Sequence, residues 1–303
     1  MSKTLISIVG PTGIGKTALS IKLAQYFNTE IISSDSRQFF KEMTIGTAVP
    51  NKIELASAKH HFIQHISVEE PYNVGHYEKE AINKLKELFK TQDVIVMVGG
   101  SGLYSNAVIN GLDIFPDIPK KIREELNLKL ETEGIKILQL QLKELDQTSY
   151  NTIAINNPQR LIRALEICIG TGKPYSSFLS KNKTKRPFKT ISIGIKAERE
   201  IIYDRINRRV DIMIENGLVD EARRLLPQKK LNALNTVGYK ELFKHFEGEW
   251  TLDFAISEIK KNTRRFAKRQ LTWYRKDETI KWFDYLEDVN LITSYIENKK
   301  PAK

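Results

Sequence analysis

Apolar and polar positions alternate along the N-terminal third of the chain in two different rhythms. Leu5-Ile6-Ser7-Ile8-Val9 is a short apolar run stopped by Gly10-Pro11, which predicts a buried strand. From Ala18 to Phe27 the spacing becomes helical, with Leu19, Leu23 and Phe27 on one stripe. Glu30 to Ser33 predicts a second strand, and the polar turn Ser34-Asp35-Ser36-Arg37 follows it. Tyr77 to Phe89 predicts an amphipathic helix through Ile82, Leu85 and Phe89. Asp93 to Val98 is almost wholly apolar, as a strand buried on both faces would be. Strands that alternate with helices imply a parallel sheet with right-handed crossovers.

The rhythm changes between about Phe115 and Pro187. Pro116, Pro119, Pro158, Pro174 and Pro187 punctuate helical segments, and strand-like runs are few. The polar stretch Lys181 to Arg186 is a hinge candidate, and Thr190 to Ile195 resumes the strand pattern. Helices follow to Trp273, and the chain is expected to fray from about Asn298. The expected organisation is therefore residues 1–115 as the first part of a core, 116–187 as a helical insertion, and 188–303 as the completion of the core with basic helices.

Gly10-Pro11-Thr12-Gly13-Ile14-Gly15-Lys16-Thr17 fits G-x-x-x-x-G-K-[ST] and sits between a strand and a helix, as that motif requires. Its glycines let backbone N–H groups approach phosphate oxygens, and the following helix points its positive end at the same anion. Lys16 adds a full charge, and the Thr17 hydroxyl is placed to ligate Mg²⁺. The fold class is therefore α/β, a P-loop core with a mostly parallel sheet flanked by helices. Such loops commonly hold ATP or another nucleotide. Here the strand ending at Val98 runs into Gly99-Gly100-Ser101-Gly102, with no carboxylate to hold a hydrolytic metal. These glycines suggest a second close backbone approach to ligand, and a diphosphate leaving group would need the cradle without the hydrolytic machinery. Asp35, just past the second strand, is a general base or metal-shell ligand on one reading and the cap of its own turn on the other.

Composition narrows the partners. The 303 residues carry a net charge of +11, which favours a polyanion. The positive charge is concentrated on predicted helices: Arg160 and Arg163 after the cap Asn157-Pro158; Arg205, Arg208 and Arg209 before Gly217; and Lys261, Arg265, Lys268 and Arg269. On the last of these, Ile256, Ile259, Thr263 and Phe266 form the expected buried stripe. Each cluster alone is usually a solvated face; the three together point to nucleic acid. The single cysteine, Cys168, excludes an internal disulfide and a multi-cysteine zinc site, and His60, His61 and His65 lack the ligands to complete a metal site. No apolar run approaches membrane-spanning length, and no signal peptide is expected before the first strand, so the expected location is cytoplasmic with no membrane partner.

The sequence resembles the bacterial tRNA dimethylallyltransferases (tRNA isopentenyltransferases, the IPP transferase family) along nearly its whole length. The resemblance is carried by GPTGIGKT (10–17), SSDSRQFF (33–40), IGTAVP (45–50), GGSGLY (99–104), NNPQRLIRALEI (156–167), RINRRVDIMIENG (205–217), VGY (237–239) and FAKRQLTWYR (266–275). It implies transfer of a dimethylallyl group from dimethylallyl diphosphate to N6 of the adenosine on the 3′ side of the anticodon in tRNA. It also implies a base role for Asp35, and diphosphate binding by the loop Gly10 to Thr17, Lys16, Mg²⁺ on Thr17, and Arg209. Contacts to the anticodon stem-loop are implied for Asp35, Ser36, Arg37 and Gln38, for Gln159, Arg160, Leu161, Ile162 and Arg163, and for Ser101 and Arg123. Val49 stands where relatives usually have Lys, and Ser101 replaces a commoner Thr. The fold needs no second subunit, so a monomer is expected. A small-molecule kinase shares the phosphate loop and a similar sheet. A non-catalytic RNA-binding switch that holds a nucleotide is the alternative from another class.

Overall fold

The computed structural model describes residues 3–179 and 184–300. Among the described residues there are six strands, β1 (Thr4–Val9), β2 (Ile31–Ser33), β3 (His60–His61), β4 (Val94–Val98), β5 (Lys189–Lys196) and β6 (Lys281–Asp284). They form one sheet in the order β3-β2-β4-β1-β5-β6, and every pairing is parallel. All residues of β1 and β4 are buried, which explains their unbroken apolar runs. Side-chain alternation sorts them to the two faces. Ile6, Ile8, Val94 and Val96 pack with Ile21, Leu23 and Ala24 of the helix Lys16–Tyr26. Leu5, Ile95 and Met97 pack on the other face with Tyr77 and Leu85 of the helix Val74–Leu88.

The register matters for function. Ser33 of β2 and Ile8 of β1 both pair with Val98 of β4, so the three chain segments leave the sheet at one level. That level is the carboxyl edge, where ligands bind in parallel α/β sheets.

Two strands escape the sequence reading, and each is a short edge strand. β3 is two histidines, and β6 is Lys-Trp-Phe-Asp with only Phe283 buried. On the helix Leu252–Tyr274 the buried residues are Ala255, Ile259, Ala267, Gln270 and Tyr274. Phe266, expected inside, is 38% exposed, because the face that carries it and Thr263 lines a cavity instead of the core. The hinge candidate falls partly on residues 181–183, which lie outside the described residues. At the end of that stretch the Arg186 guanidinium pairs with Glu78 and donates to the Ala107 carbonyl at 2.7 Å. The helix Val289–Lys299 runs through the expected point of fraying at Asn298, and residues 301–303 lie outside the described residues.

The chain divides into two compact units, residues 1–110 with 185–303 and residues 111–184. The second unit is helical, formed by Lys120–Glu133, Ile135–Leu145, Gln147–Thr152 and Pro158–Thr171, with a core of Leu126, Leu138, Leu142, Leu161, Leu165 and Cys168. Its last long helix starts as its sequence predicts. The Asn157 side chain accepts from Arg160 N–H, Pro158 occupies the first turn, and Gly172 ends the helix in the left-handed region.

Candidate functional site

The phosphate loop leaves β1 with a backbone that demands its glycines. Gly13 and Gly15 have φ of 78° and 106°, values that side chains resist. A Cβ on Gly10 would lie 2.7 Å from the Ile195 carbonyl oxygen of β5. Gly15 caps the helix Lys16–Tyr26 without a side-chain bond, and no acidic residue occupies the first turn. A lysine at a helix N-terminus opposes the dipole, and an anion bound there relieves both. Lys16 Nζ donates to the Pro11 carbonyl at 2.8 Å, and Arg205 Nε donates to the Gly13 carbonyl at 2.8 Å.

Burial lowers the Lys16 pKa to about 8; Asp35 nearby pushes it up and Arg209 pushes it down. Arg209 is likewise lowered by burial and supported by Asp35. Two cations and one carboxylate thus face one another across the mouth of the loop.

The sign of that shift fixes how anion binding depends on pH. Below about pH 8 the free protein already carries the proton on Lys16, so an anion binds without proton uptake. Above that pH the anion draws a proton in, and its affinity falls as pH rises. Calorimetry of inorganic diphosphate in buffers of different ionisation enthalpy should therefore show more proton uptake for the wild type than for Lys16→Arg on the alkaline side. Equal uptake by the two proteins would contradict this assignment.

Asp35 is held by a turn built around it. Oδ1 accepts from Arg37 N–H at 3.1 Å, and its own N–H donates to Ser33 Oγ at 3.3 Å. The carboxylate therefore caps its turn, and it also faces Lys16 and Arg209. Gly99 makes room for this turn: a Cβ there would lie 2.2 Å from Ser34 Oγ. A Cβ on Gly100 would meet Gln270 Nε2 at 2.3 Å, and one on Gly102 would meet Trp273 at 2.4 Å. Close packing within the protein requires these glycines, and Gly100 and Gly102, read from sequence as a close approach to ligand, also line a cavity.

Several residues implied as RNA contacts are engaged internally. Ser101 Oγ accepts from Ser36 N–H at 3.0 Å and bonds Ser36 Oγ at 2.9 Å. Arg37 Nη1 donates to the carbonyls of Asn232 and Ala233 at 3.0 and 2.8 Å. Gln38 Nε2 donates to those of Thr47 and Ala48 at 3.2 and 2.9 Å. These atoms shape the site, and a partner would have to use the remaining polar atoms of the same residues.

Two cavities meet at Asp35. One, of about 580 Å³, is lined by Gly13, Gly15, Lys16, Thr17, Arg205, Arg208 and other polar groups. The other, of about 530 Å³, has Ile206, Val210, Met213, Ile259, Phe266 and Trp273 in its wall. Thr12, Asp35, Thr47, Ala48 and Arg209 line both. These five residues form the waist between a cationic chamber and a more apolar one.

The loop carrying Thr47 and Ala48 has an anchor that the sequence reading missed. Glu221, 3% exposed, accepts from the N–H groups of Thr44, Ile45 and Gly46 and from Tyr239 Oη at 2.7 Å. A Cβ on Gly46 would lie 2.7 Å from the Tyr239 ring, so the aromatic ring fixes the loop from beneath. Gly46 and Tyr239 both belong to motifs noticed in the sequence; only the buried carboxylate explains why they go together.

In the second unit Gln159 and Arg160 are exposed, and Arg163 lies over the Phe115 ring at 5.1 Å. Leu161 and Ile162 belong to the core, so their side chains are not presented to a partner. Arg123 pairs with the buried carboxylate of Glu166 at 2.6 Å, and Arg163 approaches the same oxygen at 3.4 Å. Among the described residues no three His, Cys, Asp or Glu side chains are placed to hold a metal, and no helix is long and apolar enough to cross a membrane.

The family described as IPP transferase matches residues 38–277. A tRNA dimethylallyltransferase of Christiangramia forsetii is 65% identical, covering 99% of each chain. One from Flavobacterium johnsoniae is 59% identical over the same shares. The crystal structure of the tRNA isopentenylpyrophosphate transferase of Bacillus halodurans superposes with a TM-score of 0.74 at 36% identity, covering 98% of this chain and 96% of that one. A eukaryotic dimethylallyltransferase acting on tRNA gives a TM-score of 0.82 at 26% identity, covering all of this chain and 81% of its own. With a family match across most of its length and close relatives across all of it, this chain belongs to the IPP transferase family.

Proposed function

We propose that this protein transfers a dimethylallyl group from dimethylallyl diphosphate to N6 of the adenosine 3′ to the anticodon in tRNA, releasing diphosphate. The observation that carries the reading is the waist: Asp35 stands between a cationic chamber with a phosphate loop and a chamber with apolar walls. The diphosphate lies on the loop amides, Lys16 and Arg209, and the target base enters from the other side. A base must leave its stack to reach such a site. An exocyclic amine is a weak nucleophile, because its lone pair is delocalised into the ring. Asp35 orients it and accepts its proton as the new N–C bond forms. The allylic C–O bond breaks, and its electron pair leaves with the diphosphate. Loop amides, Lys16 and Arg209 stabilise that developing charge.

Thr17 lines the cationic chamber, and its hydroxyl would be one ligand of an Mg²⁺ ion carried in by the diphosphate. Such an ion would neutralise charge on the leaving group, with phosphate oxygens and water as its other ligands.

In the second unit, the exposed Arg160 and the half-buried Arg163 are proposed to grip phosphates of the anticodon arm. Replacing both by alanine should weaken tRNA binding and flatten its salt dependence, by about one unit of slope for each phosphate no longer neutralised. An unchanged slope would remove this helix from the interface.

The reading is tested by incubating the purified protein with dimethylallyl diphosphate and tRNA, then digesting the RNA for mass spectrometry. The expected product is one adenosine heavier by a dimethylallyl group. A phosphorylated small molecule formed from ATP would identify a kinase instead.

A further inference from the structure

We infer that Gln270 is a positioning residue that sets the distance between the phosphate loop and the Asp35 carboxylate; this rests on the function proposed above. Gln270 lies on the helix Leu252–Tyr274, 5% exposed, at the wall of the apolar-lined chamber. Its Oε1 accepts from Thr12 N–H at 2.9 Å, and its Nε2 donates to the Gly100 carbonyl at 2.8 Å. One partner can only donate and the other only accept, so the amide has a single orientation.

The bridge ties the phosphate loop after β1 to the loop after β4. It also turns Thr12 N–H toward the protein, leaving the later amides of the loop for the anion. Asp35 stands against the same β4 loop: a Cβ on Gly100 would be 2.3 Å from Gln270 Nε2 and 3.7 Å from Asp35 Oδ2. Gly100 is thus wedged between the amide and the carboxylate, and the amide reaches on to the diphosphate cradle. A side chain whose amide bonds the protein on both sides would decide whether the leaving group and the base are the right distance apart. Misplacement of reacting groups by about 1 Å can cost about 10²-fold in rate.

The test uses two variants of the full chain. Gln270→Met keeps the volume and breaks both hydrogen bonds. It is expected to lose at least about 10-fold in single-turnover rate, with tRNA affinity unchanged. Gln270→Glu when protonated can still accept from Thr12 and donate to Gly100; when ionised it sets an oxygen against the Gly100 carbonyl. Its rate divided by that of the wild type should approach one at acid pH and fall as pH rises.

A Met variant with wild-type rate, or a Glu-to-wild-type ratio that is flat with pH, would overturn the inference. Affinity for inorganic diphosphate, measured on the same proteins, separates this inference from the functional reading. If the wild type makes no prenylated RNA, but diphosphate affinity is weakened in the Met variant and recovered by the Glu variant at acid pH, the transferase reading fails and the bridge stands.

Discussion

Asp35→Asn should lower the single-turnover rate of prenyl transfer by about 10²-fold or more, while the protein stays folded and binds tRNA as before. Asparagine is the informative substitution because Oδ1 already accepts from Arg37 N–H, and an amide oxygen can do the same. The turn is kept and the proton acceptor is lost. Asp35→Ala removes both, so a rate deficit in the alanine variant alone would mean that the residue serves only its turn. A deficit in both proteins identifies the base. The carboxylate's nearness to Lys16 and Arg209 places it at the mouth of the loop, where the departing diphosphate and the incoming N6 must meet.

Lys16→Ala should weaken diphosphate binding by about 10- to 100-fold, the range of one charge-assisted hydrogen bond. Affinity for tRNA should not change, and titration of each ligand separately measures this. The effect is one-sided because Lys16 lines the cationic chamber and not the apolar-walled one. Equal losses for both ligands would mean that the lysine supports the loop rather than the anion, a role its bond to the Pro11 carbonyl could serve.

Much of this site was legible in the sequence because its parts are local. The phosphate loop is eight consecutive residues between a strand and a helix, and Asp35 follows its strand by two positions. Strands β1, β2, β4 and β5 were legible for the same reason, since apolar runs need no tertiary information. What stayed hidden is held by contacts between distant residues. Gln270 meets Thr12 across 258 positions, and Glu221 meets Gly46 across 175. Neither partner looks unusual alone. The glycines after β4 show the limit from the other side: their presence was a true signal, but sequence could not say whether ligand or protein comes close. Phe266 misled because a helix that roofs a cavity carries an apolar face just as a core helix does. The edge strand β3 is too short to show any alternation, and β6 has a charged residue at each end and no apolar run beyond Trp282 and Phe283.

The most direct measurement is a crystal structure of this protein with an anticodon stem-loop and an unreactive thiol analogue of dimethylallyl diphosphate. The expected result has the diphosphate on residues 10–17, with the flipped adenine's N6 within hydrogen-bonding reach of Asp35, about 3 Å. An adenine held away from that carboxylate, or a diphosphate bound outside the loop, would contradict it.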